Sequence, residues 1–137
     1  MAQAPPVVPT RKPRRFLRRL KLALVLTPLA LVLLLAAYVW VVLRVSYSNG
    51  ERAGYVQKFS RKGWICKTWE GELAMATMPG TLPEVFRFTV RDDGVAARIN
   101  ESIGQRVALS YEQHRGLPTN CFGETEYFVV GAKRVEP

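Results

Sequence analysis

Residues 85–104 read VFRFTVRDDGVAARINESIG and place a strand directly before a helix. Apolar and polar residues alternate over 85–91, which predicts a half-buried strand. Its inner face is expected to carry Phe86, Phe88 and Val90. The position of this strand in the chain decides which fold the neighbouring segments can form.

A short helix is predicted immediately after this strand. An aspartate at position 92 or 93 can cap its N-terminus, because a carboxylate there accepts backbone N–H groups and meets the positive end of the helix dipole. Gly104 can end the helix. An apolar stripe at intervals of four residues is expected to face the core and consists of Val95, Ile99 and Ile103.

Four further strands are predicted around this unit, at 53–61, 64–76, 105–112 and 125–135. Turn signals at Ser48-Asn49-Gly50 and Lys62-Gly63 bound the first strand, and Gly71 predicts a bulge or a bend in the second. The order is three strands, one helix and two strands. It predicts a small mainly-β domain, an oligonucleotide/oligosaccharide-binding (OB)-like five-stranded barrel with one short helix between strands 3 and 4. An open α+β sheet and another small barrel are the alternatives.

Residues 22–43, LALVLTPLALVLLLAAYVWVVL, contain no charged residue. As a helix they span roughly 33 Å, about the thickness of a bilayer hydrocarbon core. Pro28 near the start of the segment is compatible with a transmembrane helix. The run is longer than the apolar region of a signal peptide, and bulky residues follow Ala36-Ala37 where a cleavage site needs small ones. The sequence therefore predicts an uncleaved anchor, with a cleaved signal peptide as the alternative.

The charges around this segment predict its orientation. Residues 1–44 hold eight basic residues and no acidic one, whereas 45–137 hold twelve basic and eleven acidic residues. The positive-inside rule then places a basic, Pro-rich tail at 1–21 in the cytoplasm and the domain at 45–137 outside it. We expect a bacterial inner (cytoplasmic) membrane protein with a periplasmic C-terminal domain.

Length and charge also limit the function. A chain of 137 residues is too short for a nucleotide-binding dehydrogenase with its substrate domain. The net charge of +9 comes from the N-terminal end, so the nearly neutral domain is not expected to bind nucleic acid. Two distant cysteines and one histidine do not form a tetrahedral metal set. We expect no metal and no cofactor.

Cys66 and Cys121 are the only cysteines, and both fall on the predicted outer side. An oxidising compartment favours their pairing. In an OB-like barrel their two loops border the same surface, so a disulfide is expected. It would close a loop of about 55 residues, worth roughly 4 kcal/mol in the chain-entropy model. Two unpaired, buried thiols are the alternative.

Residues with catalytic potential are few. His114 is the only histidine and has no neighbouring nucleophile motif, so it is expected to be a surface or loop residue. Glu70 and Glu72 lie two apart and should share one strand face, as paired catalytic carboxylates could. Acidic residues on a solvent face are more common than such pairs. We expect no catalytic residue and no enzyme.

Basic and aromatic residues are interleaved over 58–70, around the first predicted hairpin. Such a surface can stack on sugars or bases, or hold an anionic group. Alternatively, Phe59, Trp64 and Trp69 are core or interfacial anchors surrounded by solvated lysines. If the surface binds a ligand, the predicted binding residues are Lys62, Trp64, Lys67 and, across a cleft, Arg115.

Two blocks, YSNGERAGYVQKFSRKGWICKTWEGELAM at 47–75 and GQRVALSYEQHRGLPTNCFGETEYFVV at 104–130, resemble a family of small bacterial single-pass membrane proteins of uncharacterised function. The resemblance covers nearly all of 45–135. Some members carry the label 6-phosphogluconate dehydrogenase, but this chain has no dinucleotide fingerprint and no room for the domains of such an enzyme. The resemblance implies an envelope location and carries over no catalytic residue.

Two binding roles follow from these observations. The first is a membrane-anchored envelope protein with a noncatalytic binding or scaffolding role, whose partners are membrane lipid and an envelope protein or a cell-wall component. The second is a periplasmic module that binds a small anionic or sugar ligand. A flat, exposed apolar patch would favour the first role, and a pocket lined by Trp64, Lys67 and Arg115 would favour the second.

Overall fold

The computed structural model describes residues 14–75 and 79–136. The predicted Pro-rich lead at 1–10 lies outside the described residues, as does most of the predicted tail at 1–21 and the last predicted residue of the second strand, Ala76. The described elements, in chain order, are α1 (Arg14–Arg44), β1 (Ser48–Lys62), β2 (Thr68–Met75), β3 (Val85–Val90), α2 (Asp93–Asn100), β4 (Arg106–Gln113) and β5 (Tyr127–Arg134).

Helix α1 is continuous through Pro28 and has exposed apolar side chains along most of its length. Its length and composition are those of a helix that can cross a membrane, and a signal sequence near an N-terminus has the same properties. The chain divides into two compact units between Ala37 and Tyr38. The last turns of α1 therefore belong to the same unit as the sheet.

The five strands form a closed sheet in the order β1-β2-β3-β5-β4, and β4 pairs again with β1. All pairings are antiparallel except that of β3 with β5, which is parallel and pairs Thr89 with Phe128. Helix α2 connects β3 to β4. The predicted order, with an N-terminal helix, five strands and a short helix between strands 3 and 4, is confirmed.

The core lies inside the closed sheet and beneath α2. The predicted inner face of β3 is buried, and so are Val107 and Leu109 of β4. Asp92 caps α2 by accepting the Val95 N–H at 2.8 Å, as expected of an acidic N-cap. The predicted stripe is wrong at Ile103, which lies in the turn after α2 and is exposed, because the helix ends at Asn100.

Two predicted strand boundaries are wrong. Ser48, Asn49 and Gly50 form the start of β1 and not a turn, because they pair with the end of β4, which lies far along the chain. Long-range pairing here outweighs local turn preference. At the other end, β2 begins at Thr68, and residues 63–67 form the loop of the hairpin. Gly63 in this loop has a φ of +123°, which favours glycine.

Of the bulge or bend predicted at Gly71, the bulge is not found there: the register of the β1–β2 pair shifts on β1, between Val56 and Lys58. Gly71 has a different role, because a Cβ at this position would lie 2.3 Å from Cζ of Phe88. The missing side chain leaves room for the Phe88 ring to fill the core. A neighbouring stack of Phe59 on Trp69, with ring centroids 5.2 Å apart, continues this aromatic layer.

Candidate functional site

The disulfide Cys66–Cys121 joins the β1–β2 loop (residues 63–67) to the β4–β5 loop (residues 114–126). The two Cα atoms are 4.9 Å apart, and the predicted bridge is confirmed. It closes a segment of 55 positions. A closure of that length restricts the unfolded chain and stabilises the fold by about 4 kcal/mol in the entropy model.

The β4–β5 loop lies over the outer face of β2 and β3. Thr125 donates its backbone N–H to the Thr89 hydroxyl oxygen at 3.2 Å, and Glu124 donates its own to Glu70 Oε1 at 3.1 Å. Gly123 comes so close to β3 that a Cβ would lie 2.6 Å from the Thr89 methyl group. The bridge and these hydrogen bonds together fix the loop on the sheet.

Glu70 lies under this loop with 5% of its surface exposed. Its carboxylate accepts hydrogen bonds of 2.7 Å from the hydroxyls of Thr68 and Thr89, besides the one from the loop. Three donors therefore satisfy the buried charge, which would otherwise be costly to bury. The expectation that Glu70 and Glu72 share a solvent face is wrong for Glu70, because a distant loop covers it.

Glu72 remains at the surface and pairs with two cations. Its Oε1 lies 3.3 Å from Arg87 Nη2 and 4.0 Å from Lys58 Nζ. Both carboxylates are thus held by structural partners. Within the described part of the chain, no group of three or more His, Cys, Asp or Glu side chains is arranged to hold a metal ion.

The β1–β2 loop presents two apolar side chains to solvent: Trp64 is 99% exposed and Ile65 is 96% exposed. Trp69, five residues later, is partly buried and donates its indole N–H to Asp93 Oδ1 at 3.0 Å. The aromatic residues of this segment therefore divide into two groups. Phe59 and Trp69 pack on the core as structural anchors, whereas Trp64 does not.

The predicted binding residues are only partly brought together. Lys62 and Trp64 line a cleft of about 320 Å³ between the two joined loops, and Lys62 Nζ lies 3.2 Å from Glu124 Oε2. Lys67 is exposed near this cleft but is not one of its lining residues. Arg115 lies elsewhere, with its guanidinium 4.8 Å above the Tyr47 ring and Nε 3.6 Å from Glu126 Oε2.

The end of α1 forms a second polar site, which the sequence does not reveal. His114 lies in the β4–β5 loop, as one of the two predicted placements has it, but it is only 5% exposed and not a surface residue. Its Nδ1 lies 2.9 Å from the carbonyl oxygen of Val42, an obligate acceptor, so Nδ1 carries a proton. Its Nε2 faces Glu112 Oε2 at 3.4 Å. Carbonyl groups in the last turn of a helix have no hydrogen-bond donor within the helix. The His114 ring supplies a donor to one of these carbonyl groups, that of Val42.

Tyr38 makes a second contact of this kind, donating its hydroxyl to the Gly116 carbonyl at 2.9 Å. The last turns of α1 are therefore hydrogen-bonded to the start of the β4–β5 loop at two points. Nothing in the spacing of either residue predicts these contacts, because each joins positions more than 70 residues apart.

Comparison with known proteins extends this description in one respect. No curated protein matches the sequence. A family model described as "Domain of unknown function (DUF8785)" matches residues 45–137, which include all five strands, α2 and both cysteines. Since the match covers more than half of the chain, the protein belongs to the DUF8785 family, whose function is uncharacterised.

Proposed function

We propose that this protein is a single-pass membrane protein of the bacterial envelope, and that its domain is a noncatalytic, OB-like binding or scaffolding module in the periplasm. The tip of the β1–β2 loop is the surface that contacts an envelope protein. The observation that carries this proposal is the nearly complete exposure of Trp64 and Ile65 on a loop held by a disulfide.

The apolar helix supports the membrane part of the proposal. Helix α1 has 31 residues, its apolar side chains are exposed, and its basic flank at 11–21 favours an N-terminus in the cytoplasm. Tyr38 and Trp40 are suited to the opposite interface, where aromatic side chains are enriched. The resemblance to bacterial single-pass proteins agrees with this arrangement.

The covered face of the sheet argues against an oligonucleotide or an oligosaccharide as the ligand. OB-fold proteins bind such ligands on the face of strands 2 and 3, between two loops. Here the β4–β5 loop lies across that face, and the Glu70 carboxylate is buried beneath it. This supports a binding surface at the loop tip.

The loop tip has the properties of a protein-binding surface. Adjacent large apolar residues that are exposed to solvent are typical of interaction sites, and tryptophan is enriched among the residues that dominate binding energy. The disulfide holds the loop before binding, which reduces the entropy lost on association. Among the described residues, Arg61 and Lys67 beside the tip have no ion-pair partner. They favour a partner with an apolar socket and an acidic rim.

A small anionic or sugar ligand is the second candidate, because Trp64 and Lys62 do line a cleft. It has weaker support. The Lys62 ammonium group is already paired with Glu124, so an anion would have to displace a carboxylate. Arg115, expected across the cleft, contacts Tyr47 instead.

Site-specific photocrosslinking in intact cells tests the proposal. A photoreactive amino acid replaces Ile65 in the full chain, and adducts are identified by mass spectrometry. We expect one protein adduct that is lost with Trp64→Ser and weakened by Lys67→Glu. Leu82→Ser is the matched control, because Leu82 is 91% exposed on another loop, and the adduct should persist in that variant.

Three results would contradict the proposal. The first is a crosslinking pattern that is the same with and without Trp64. The second is an adduct that is equally sensitive to Leu82→Ser. The third is crosslinking to lipid or cell-wall material alone.

A further inference from the structure

A second cleft, of about 570 Å³, lies beside the last turn of α1, on the side of α2 and β5. Leu43 of α1 and Val130 of β5 contribute apolar surface to it, and Arg91 and Arg98 contribute positive charge. All four belong to the compact unit that begins at Tyr38. The cleft therefore combines an apolar wall with two guanidinium groups.

The acidic residues of this cleft are engaged by neighbours. Asp92 caps α2 through the Val95 N–H at 2.8 Å, and Glu112 faces His114 Nε2 at 3.4 Å. Neither carboxylate is paired with an arginine of the cleft. The two arginines and two carboxylates of the lining balance in formal charge, but the guanidinium groups form no ion pair with these carboxylates and keep their donors.

The two arginines have no ion pair and donate no side-chain hydrogen bond within the described part of the chain. The guanidinium carbon of Arg91 lies 5.7 Å from the centroid of the Phe122 ring and 5.8 Å from that of Phe128. Ring contacts position a guanidinium but do not use its N–H donors. Arg91 is thus held in place with its donors available, and Arg98 is exposed at the same cleft.

We propose that this cleft binds the phosphate group of an anionic phospholipid in the membrane that α1 enters. Guanidinium groups match phosphate oxygens with paired N–H donors, which gives strong, charge-assisted hydrogen bonds. Leu43 and Val130 form the apolar wall, and the Val130 side chain is half exposed. This wall suits the glycerol and upper acyl region of a lipid. Basic pockets between transmembrane helices on the cytoplasmic side bind lipid headgroups through the same chemistry.

The lipid is favoured over a free anion by the position of the cleft. Leu43 is the penultimate residue of α1, so the cleft opens next to the end of an apolar helix. Nearby on the same turns, the Arg44 guanidinium lies 5.3 Å from the Trp40 ring, and both residue types are favoured at a lipid interface. This inference rests on the proposed membrane anchoring by α1.

Native mass spectrometry of the full-length protein in a nonionic detergent tests the inference. Phosphatidylglycerol and phosphatidylcholine are titrated separately. We expect retained phosphatidylglycerol adducts, with apparent affinity lowered about tenfold or more in Arg91→Gln/Arg98→Gln, since charge-assisted contacts are lost. The matched control is Arg106→Gln/Lys133→Gln, which removes the same charge at exposed strand positions outside the cleft and should leave the affinity unchanged.

Three results would overturn the inference. The first is equal phosphatidylglycerol binding by the cleft variant and the control. The second is equal affinity for phosphatidylcholine and phosphatidylglycerol. The third is displacement of phosphatidylglycerol by an equal concentration of inorganic phosphate, which would assign the site to a free anion.

Three further measurements separate loss of binding from loss of folding or of membrane anchoring. Circular dichroism and the intact disulfide report folding. If the double variant is unfolded, Arg98→Gln alone replaces it, because Arg98 makes no ring contact that supports the fold in the described residues. Membrane extraction reports the anchoring by α1 separately, so a chain that leaves the membrane contradicts the proposed function, whereas loss of lipid selectivity in detergent contradicts only the cleft.

Discussion

Glu70 and Glu72 show how strongly environment differs between two identical residues on one strand. Both side chains point away from the core, as their spacing predicts. Glu72 is partly exposed and forms two ion pairs, whereas Glu70 is enclosed by a loop that lies more than 50 residues away in sequence. The spacing could predict the shared face but not the cover.

We expect Glu70→Ala to lower the free energy of unfolding by about 2–3 kcal/mol, because it leaves two buried hydroxyls and one backbone N–H without their acceptor. Glu72→Ala is the matched control and should cost less than about 1 kcal/mol, since it removes surface ion pairs only. Urea unfolding of the full-length protein in detergent, followed by tryptophan fluorescence, measures both. Equal losses would show that Glu70 is not enclosed in solution.

The aromatic residues of the hairpin also differ in burial in a way that their sequence pattern does not predict. The pattern that places Trp64 and Trp69 in one basic and aromatic segment does not tell which of them packs. The difference arises because Trp69 lies on β2, beneath the α2 N-terminus, where Asp93 accepts its N–H. Trp64 lies in the β1–β2 loop, whose backbone the disulfide holds close to the β4–β5 loop.

At the scale of elements, strands with clear alternation could be predicted and their ends could not. The inner faces of β3 and β4 follow from period two, since Phe88 and Leu109 are fully buried. The extension of β1 back to Ser48 depends on pairing with Gln113, and the loop at the end of the hairpin is bridged to the β4–β5 loop by the disulfide. Contacts between distant segments set these boundaries, and a local pattern contains no information about them.

The β4–β5 loop is an element held by one covalent bridge and a few hydrogen bonds to the sheet. We expect Cys66→Ser/Cys121→Ser to lower stability by roughly 3–4 kcal/mol through the unfolded state. We also expect faster amide hydrogen exchange within 114–126, because the loop then opens without global unfolding. Hydrogen exchange with mass spectrometry of the full chain measures this.

The peptide that covers 106–113 is the internal control for this experiment. It belongs to β4, which pairs with β1 and β5 on both sides, and its exchange under native conditions should change much less than that of the loop. Unchanged protection of 114–126 in the double variant would mean that the hydrogen bonds to Glu70 and Thr89 hold the loop without the bridge.

At the scale of the whole molecule, the element order is what the sequence predicts best. The order of strands around α2 gave the correct number of strands and the position of the helix, because both depend on chain order and not on exact ends. The candidate site was predicted less completely. The disulfide follows from sequence features, whereas the exposure of Trp64 and the cleft beside Leu43 depend on contacts between distant segments.

The proposed orientation can be tested on the whole chain. The basic flank at 11–21 should keep the N-terminus in the cytoplasm, so a C-terminal alkaline phosphatase fusion in a bacterial host should be active. The protein should stay in the membrane after salt and carbonate washing, at the full-length mass of 15.5 kDa when untagged.

Replacing the seven basic residues of the flank by glutamine should lower phosphatase activity, because the orientation loses its determinant. A shortened product in the wash would identify α1 as a cleaved signal sequence, and an inactive fusion beside an active cytoplasmic reporter would reverse the orientation.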